Sequence, residues 1–123
     1  MTETAFDFDL LEQGGFPLQR FEPDQKIFVK DDEGACMYVV RSGKVAIVSA
    51  GAVLENVGPG ETFGEIALIN GSPRSATAIA REPTEVAILD EKAFLYLVQK
   101  NPNFALDLLR RLGRRLQFMT ENQ

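Results

Sequence analysis

Glu65 and Arg74 are opposite charges nine positions apart, joined by an apolar run and a Gly71-Ser72-Pro73 turn. They belong to the stretch Phe63-Gly64-Glu65-Ile66-Ala67-Leu68-Ile69-Asn70-Gly71-Ser72-Pro73-Arg74-Ser75-Ala76-Thr77-Ala78, which departs from the β-like pattern on either side of it. Gly64 permits close backbone approach, Glu65–Ile69 has the composition of one or two helical turns, and the N–H groups at such a helix start face an anion. The turn lets the chain double back and bring the Arg74 guanidinium to that helix start. A guanidinium holds two phosphate oxygens at once, the Ser75 hydroxyl can donate to a third, and small Ala76 lets its own N–H approach the same group. These residue types describe an anion cradle.

A carboxylate beside a phosphate would repel it, so Glu65 needs a reason to be there. A ligand carrying a ribose 2′-OH next to a cyclic phosphate supplies one, because the carboxylate accepts the hydroxyl proton while Arg74 neutralises the phosphate. A plainer reading stands beside this one. Thr62-Phe63-Gly64-Glu65 also fits a capping box, with Glu65 bonding back to the helix start and Arg74 as its salt-bridge partner.

The elements that must position these residues are mostly strands. Between Phe21 and Leu89 the chain reads as short β-rich runs broken by turn residues, the pattern of an all-β sandwich or barrel. The expected strands are Lys26–Lys30, Met37–Arg41, Lys44–Ser49, Val53–Val57, Arg74–Arg81 and Thr84–Leu89. Ser42-Gly43, between two apolar runs, predicts a two-residue hairpin because glycine tolerates the positive φ of such turns. Ahead of the strands, Ala5, Phe6, Leu10 and Leu11 fit a short helix over about residues 1–13, stopped by Gly14 and Gly15. Behind them, Asp90 is a plausible N-cap for a helix over Glu91–Lys100, and Asn101-Pro102 opens a second and longer one. On that last helix Ala105, Leu109, Leu112, Leu116 and Met119 form the expected apolar stripe, to be buried on the β part or against a second copy. Arg110, Arg111, Arg114 and Arg115 read as its solvated face, and Gly113 as a weak point of about 1 kcal/mol.

Composition narrows the chemistry. The 123 residues carry no histidine, which removes the usual general acid/base, the Ser-His nucleophile and the histidine-ligated metal site. A net charge of −5 argues against nucleic acid as a partner. No apolar run approaches the roughly 20 residues that span a bilayer, and the acidic N-terminus is unlike a secretory signal, so a cytoplasmic location without membrane insertion is expected. Lone Cys36, flanked by strand-like residues, reads as a small buried hydrophobe with no redox role. One domain over residues 1–123 is expected, with its β part over about 20–89 and its closing helices over about 91–120.

The segment FGEIALINGSPRSATAIA closely resembles the phosphate-binding cassette of the cyclic-nucleotide-binding domain family, the type found in catabolite activator protein and protein kinase A regulatory subunits. The resemblance extends upstream through KIFVKDDEGACMYVVRSGKVAIV and downstream to the closing helices, roughly Phe21 to Leu116. It implies a mainly β fold, an eight-stranded β-roll of jelly-roll type (a double-stranded β-helix), with helices packed on one side. By the same resemblance Glu65 would take the ribose 2′-OH, and Arg74 and Ser75 the cyclic phosphate. Ile66 belongs to the same cassette, the backbones of Gly64, Ala67 and Ala76 would complete the cradle, and Ile47 and Leu54 would face sugar and base.

It further implies a sensor and not an enzyme, one that needs no cofactor and takes cAMP in preference to cGMP. Family transcription factors continue into a DNA-binding helix-turn-helix that does not follow here before Gln123. The expected output is therefore closure of the C-terminal helix, read by a separate protein partner or by a homodimer. The alternative is a docking or dimerisation module that has kept the fold without the nucleotide.

Overall fold

The run Met37-Tyr38-Val39-Val40 has no polar residue to mark a solvent side, and the structure buries it on both faces. The structure is a computed structural model that describes residues 15–121, with the side chains of 115 and 118–121 left aside. In chain order it folds as β1 (Leu18–Phe21), β2 (Lys26–Phe28), β3 (Met37–Ser42), β4 (Val45–Ser49), β5 (Ala52–Val57), β6 (Thr62–Phe63), α1 (Glu65–Asn70), β7 (Thr77–Ala80), β8 (Thr84–Leu89), α2 (Glu91–Lys100) and α3 (Pro102–Glu121). The short helix expected over about residues 1–13 lies outside the described residues.

The eight strands form two antiparallel four-stranded sheets, in the orders β1-β8-β3-β6 and β2-β7-β4-β5. This is the β-roll that the cassette implies. Tyr38 and Val40 point from β3 into the space between the sheets, where they meet Val45, Val57, Phe63, Ala78 and Val86. Met37 and Val39 point the other way, onto Ala93 and Leu97 of α2 and Phe104 and Leu108 of α3. Alternation along one strand thus joins the roll to its helices, and that joint holds the last helix near the site.

Several expectations change. The hairpin at Ser42-Gly43 does not form: β3 pairs with β6 and β8, and β4 with β5 and β7. At Gly43, φ +94, the chain instead crosses from one sheet to the other, so close to the opposite turn that a Cβ would stand 2.5 Å from the Pro83 carbonyl oxygen. Lys44 N–H donates to Thr84 Oγ1 at 3.2 Å and Arg81 N–H to the Lys44 carbonyl at 2.8 Å, which ties the crossing down. The two-residue hairpin lies one turn later, where Ala50 (φ 52) and Gly51 (φ 79) join β4 to β5 with Ser49 opposite Ala52. Positive φ at both central residues is what a type I′ turn requires.

The strand expected over Arg74–Arg81 begins only at Thr77, and β2 ends at Phe28 and not at Lys30. The strands β1 and β6 were not anticipated. On α3 the buried face is Phe104, Leu108 and Leu112, while Leu109 and Leu116 of the expected stripe are 61% and 64% exposed. Asp90 caps α2 as expected, its carboxylate accepting from Ala93 N–H at 2.9 Å. Among the described residues no helix is long and apolar enough to cross a membrane.

Candidate functional site

Helix α1 starts without a side-chain cap. Its N-cap is Gly64, left-handed at φ 78 and ψ 14, so the capping box is not the arrangement adopted. Thr62 is a strand residue instead, and its hydroxyl and carbonyl oxygens both accept from Arg111 of α3. At the other end Gly71, φ 74, closes the helix with its N–H on the Ala67 carbonyl at 2.9 Å, and the chain turns back.

The returning segment is fastened through its backbone. Arg74 N–H donates to the Asp32 carbonyl and Asp31 N–H to the Arg74 carbonyl, both at 2.8 Å. Fixing the main chain there sends the Arg74 side chain inward, where only 5% of the residue remains exposed. Nη1 donates to the Gly64 carbonyl and Nη2 to the Cys36 carbonyl, each at 2.9 Å. The guanidinium carbon stands 4.2 Å above the Phe28 ring centre, within cation–π range. Among the described residues its hydrogen-bond acceptors are thus neutral, whereas a buried cation is best satisfied by an anion.

Glu65 is 2% exposed and lies at the start of the same helix turn. Its Oε2 accepts no hydrogen bond among the described residues. Two buried side chains of opposite charge therefore line one cavity, together with Ser75 and Ala76. The cavity has a volume of about 90 Å³, smaller than the roughly 300 Å³ at the low end of ligand pockets. A sugar and phosphate can enter it only in part unless it widens, and Glu55, one of its lining residues, pairs with Arg111 at 3.7 Å.

Of the nine residues that the sequence nominates, Gly64, Glu65, Ile66, Ala67, Arg74, Ser75, Ala76 and Ile47 line this cavity. Leu54 does not; it is 62% exposed. The reason is a bulge: Ile47 pairs with Glu55 but Val48 pairs with Val53, so Leu54 is the extra residue and Glu55 takes the inward position. Glu55, Phe28 and Arg111 were missed by sequence reasoning. Strand alternation counted from Ile47 across the hairpin could have found Glu55, had the bulge been visible. Arg111, expected on a solvated face, is instead a contact between α3 and the roll, while Arg110 does face outward and pairs with Asp107 at 3.8 Å.

Tyr38 packs behind the cradle, its ring stacked on Phe63 with centroids 5.0 Å apart. Burial pushes its phenol up from 10.0 to about 12, the neighbouring Cys36 adds to the rise, and the Arg74 guanidinium partly opposes it. The ring therefore stays neutral at physiological pH and acts as an apolar wall.

A β-roll that carries a short helix and a returning arginine around one cavity defines a ligand-binding module, and comparison with known proteins gives its class. The family described as "Cyclic nucleotide-binding domain" matches residues 18–101, and the chain belongs to that family. It is 38% identical over 105 residues to the "Cyclic AMP receptor protein" of Thermus thermophilus, covering 80% of this chain and 49% of that one. The crystal structure of the Thermus thermophilus catabolite activator protein superposes with a TM-score of 0.77 at 36% identity, over 89% of this chain and 54% of that one. A structure described with a cyclic-GMP-dependent signalling pathway in bacterial phytopathogenesis superposes with a TM-score of 0.72 at 25% identity, over 93% and 96%. The chain spans about half the length of the Thermus receptor.

Proposed function

We propose that this domain is a cytoplasmic, non-catalytic cyclic-nucleotide sensor that takes cAMP in preference to cGMP. The observation that carries the reading is the pair Glu65 and Arg74, both buried and both on one cavity with Ser75. Arg74 and Ser75 hold the cyclic phosphate, Glu65 accepts from the ribose 2′-OH, and Ile47 faces the sugar and base from the opposite wall. The 38% identity to a protein named for cyclic AMP supports the choice of base. A histidine-free sequence supports binding without turnover.

Signalling passes through α3. Its Arg111 touches Thr62 and Glu55, and Glu55 lines the cavity, so a ligand that widens it prefers a different placement of the helix. That differential affinity is what shifts a two-state equilibrium. A second reading, docking or homodimerisation without nucleotide, is favoured by the exposure of Leu109 and Leu116 on the same helix.

Calorimetry with cAMP and cGMP, in the parent protein and Arg74→Ala, tests the proposal. The parent binds cAMP more tightly than cGMP, and the variant binds at least about tenfold more weakly, because a charge-assisted pair is worth roughly 1.5–3 kcal/mol. Equal affinity in the two proteins removes Arg74 from the site. No heat with either nucleotide favours the docking module.

A further inference from the structure

Gly34 has a backbone conformation that any residue can adopt, since it is not among the glycines at positive φ. Its need for a bare Cα is steric. A Cβ built there would stand 2.7 Å from Arg74 Nε, 2.8 Å from Nη2 and 2.9 Å from Cζ. All three atoms belong to the guanidinium, so the side chain at position 34 is missing where Arg74 needs to lie.

The loop that carries Gly34 is tied down ahead of it, and behind it the chain enters β3 at Met37, whose side chain is fully buried. Val29 N–H donates to Asp32 Oδ2 at 3.0 Å, Lys30 N–H to Thr77 Oγ1 at 3.0 Å, and the main chain of Asp31 and Asp32 brackets Arg74. The Cys36 carbonyl at the end of the loop takes Arg74 Nη2. The flexible end of an arginine yields more easily than such a loop. A methyl group at position 34 is therefore accommodated by moving the guanidinium off the Phe28 ring and off its two carbonyl acceptors.

We infer that Gly34 is a positioning residue that sets ligand affinity: its missing side chain leaves the space that aims the Arg74 guanidinium into the cavity. This rests on reading Arg74 as the residue that holds the cyclic phosphate. Gly34 touches the ligand only through Arg74, so its effect must vanish when Arg74 is gone.

The test is a double-mutant cycle of Gly34→Ala and Arg74→Ala in the full chain, read by calorimetry with cAMP and by the urea midpoint. Gly34→Ala alone weakens cAMP binding tenfold or more. Added to Arg74→Ala, it changes neither the residual binding nor the midpoint. Parent-like affinity in Gly34→Ala, or an equal midpoint loss in both backgrounds, overturns the inference. Should Gly34→Ala alone fail to fold, the double variant decides: recovery of folding places the clash on Arg74, and continued failure places it elsewhere and overturns the inference. A parent protein without affinity for cAMP or cGMP takes down the reading of the site and this inference together. A binding parent with an unaffected Gly34→Ala takes down the inference alone.

Discussion

Arg111 Nη2 donates to the carbonyl oxygen of Thr62 at 3.0 Å, so the last helix grips the main chain two residues ahead of Gly64. The same guanidinium pairs with Glu55 on the cavity wall. Helix α3 and the cavity are thus mechanically joined by one side chain, which is 23% exposed and only partly screened by solvent. Phe104 and Leu108 seat the first half of the helix, and Arg111 fixes the next turn.

Arg111→Ala is expected to loosen that turn while leaving the roll intact. A partly exposed charged hydrogen bond and ion pair together contribute about 1 kcal/mol. Hydrogen exchange should accelerate in α3 beyond residue 108 and stay unchanged in β3 and β8. Unchanged protection along α3 would mean that Phe104 and Leu108 hold the helix unaided.

Glu65 is expected to read the sugar and not the phosphate. The parent should bind cAMP about tenfold or more tightly than 2′-deoxy-cAMP, the loss of a hydrogen bond to a charged acceptor. In Glu65→Ala the two ligands should bind alike. Persistent discrimination in that variant would move the 2′-OH contact to another residue.

The phenol of Tyr38, held near 12, gives stability a definite dependence on alkali. The folded state keeps this proton more tightly than the unfolded chain, whose tyrosines ionise near 10. The contribution is therefore whole below pH 10 and drains away as pH rises toward 12. Urea midpoints should fall across that window, and Tyr38→Phe should lessen the fall. A phenolate absorbance titration of the folded protein should contain a late component that the variant lacks.

Gly43→Ala is expected to destabilise the roll by about 2 kcal/mol or more, through a strained positive φ and the contact with the Pro83 carbonyl. Gly51→Ala makes a control, since its Cβ points into open space and only the left-handed backbone, about 1 kcal/mol, is at stake. Equal midpoints for the two variants would show that the crossing at Gly43 has room to relax.

The cradle was legible in the sequence because its signals are local. Gly64, Glu65 and Arg74 are joined by one helix and one turn, and what told the capping box apart, a left-handed Gly64 at the helix start, is a backbone angle that residue types do not show. The sheet assignment was not legible at Ser42-Gly43. A glycine with positive φ serves a hairpin and a crossing between sheets equally well, and what separates them is Thr84, forty residues away. Leu54 and Glu55 were exchanged for a similar reason, as a bulge moves every later side chain to the other face without changing residue types. The two-residue strand β6 is too short for any periodicity, and Arg111 looks like any solvated helical arginine until β6 is beside it.

The sheet orders also govern how the molecule comes into being. Of the strand pairs, only β4 with β5 joins chain neighbours; β1 waits for β8, and β2 waits for β7. Closing such long loops precedes any reward from the contacts they make, which slows the folding of such a chain, and the β4–β5 ribbon is the strand pair with the shortest loop to close. A nascent chain that has not yet released Thr77–Leu89 leaves both early strands with open edges, exposed to pairing with the wrong neighbour. The groups that hold the Arg74 side chain, from Phe28 to Gly64, leave the ribosome before it, but β2 and β4 meet their partner β7 only after it, so the cradle exists only once the roll has shut.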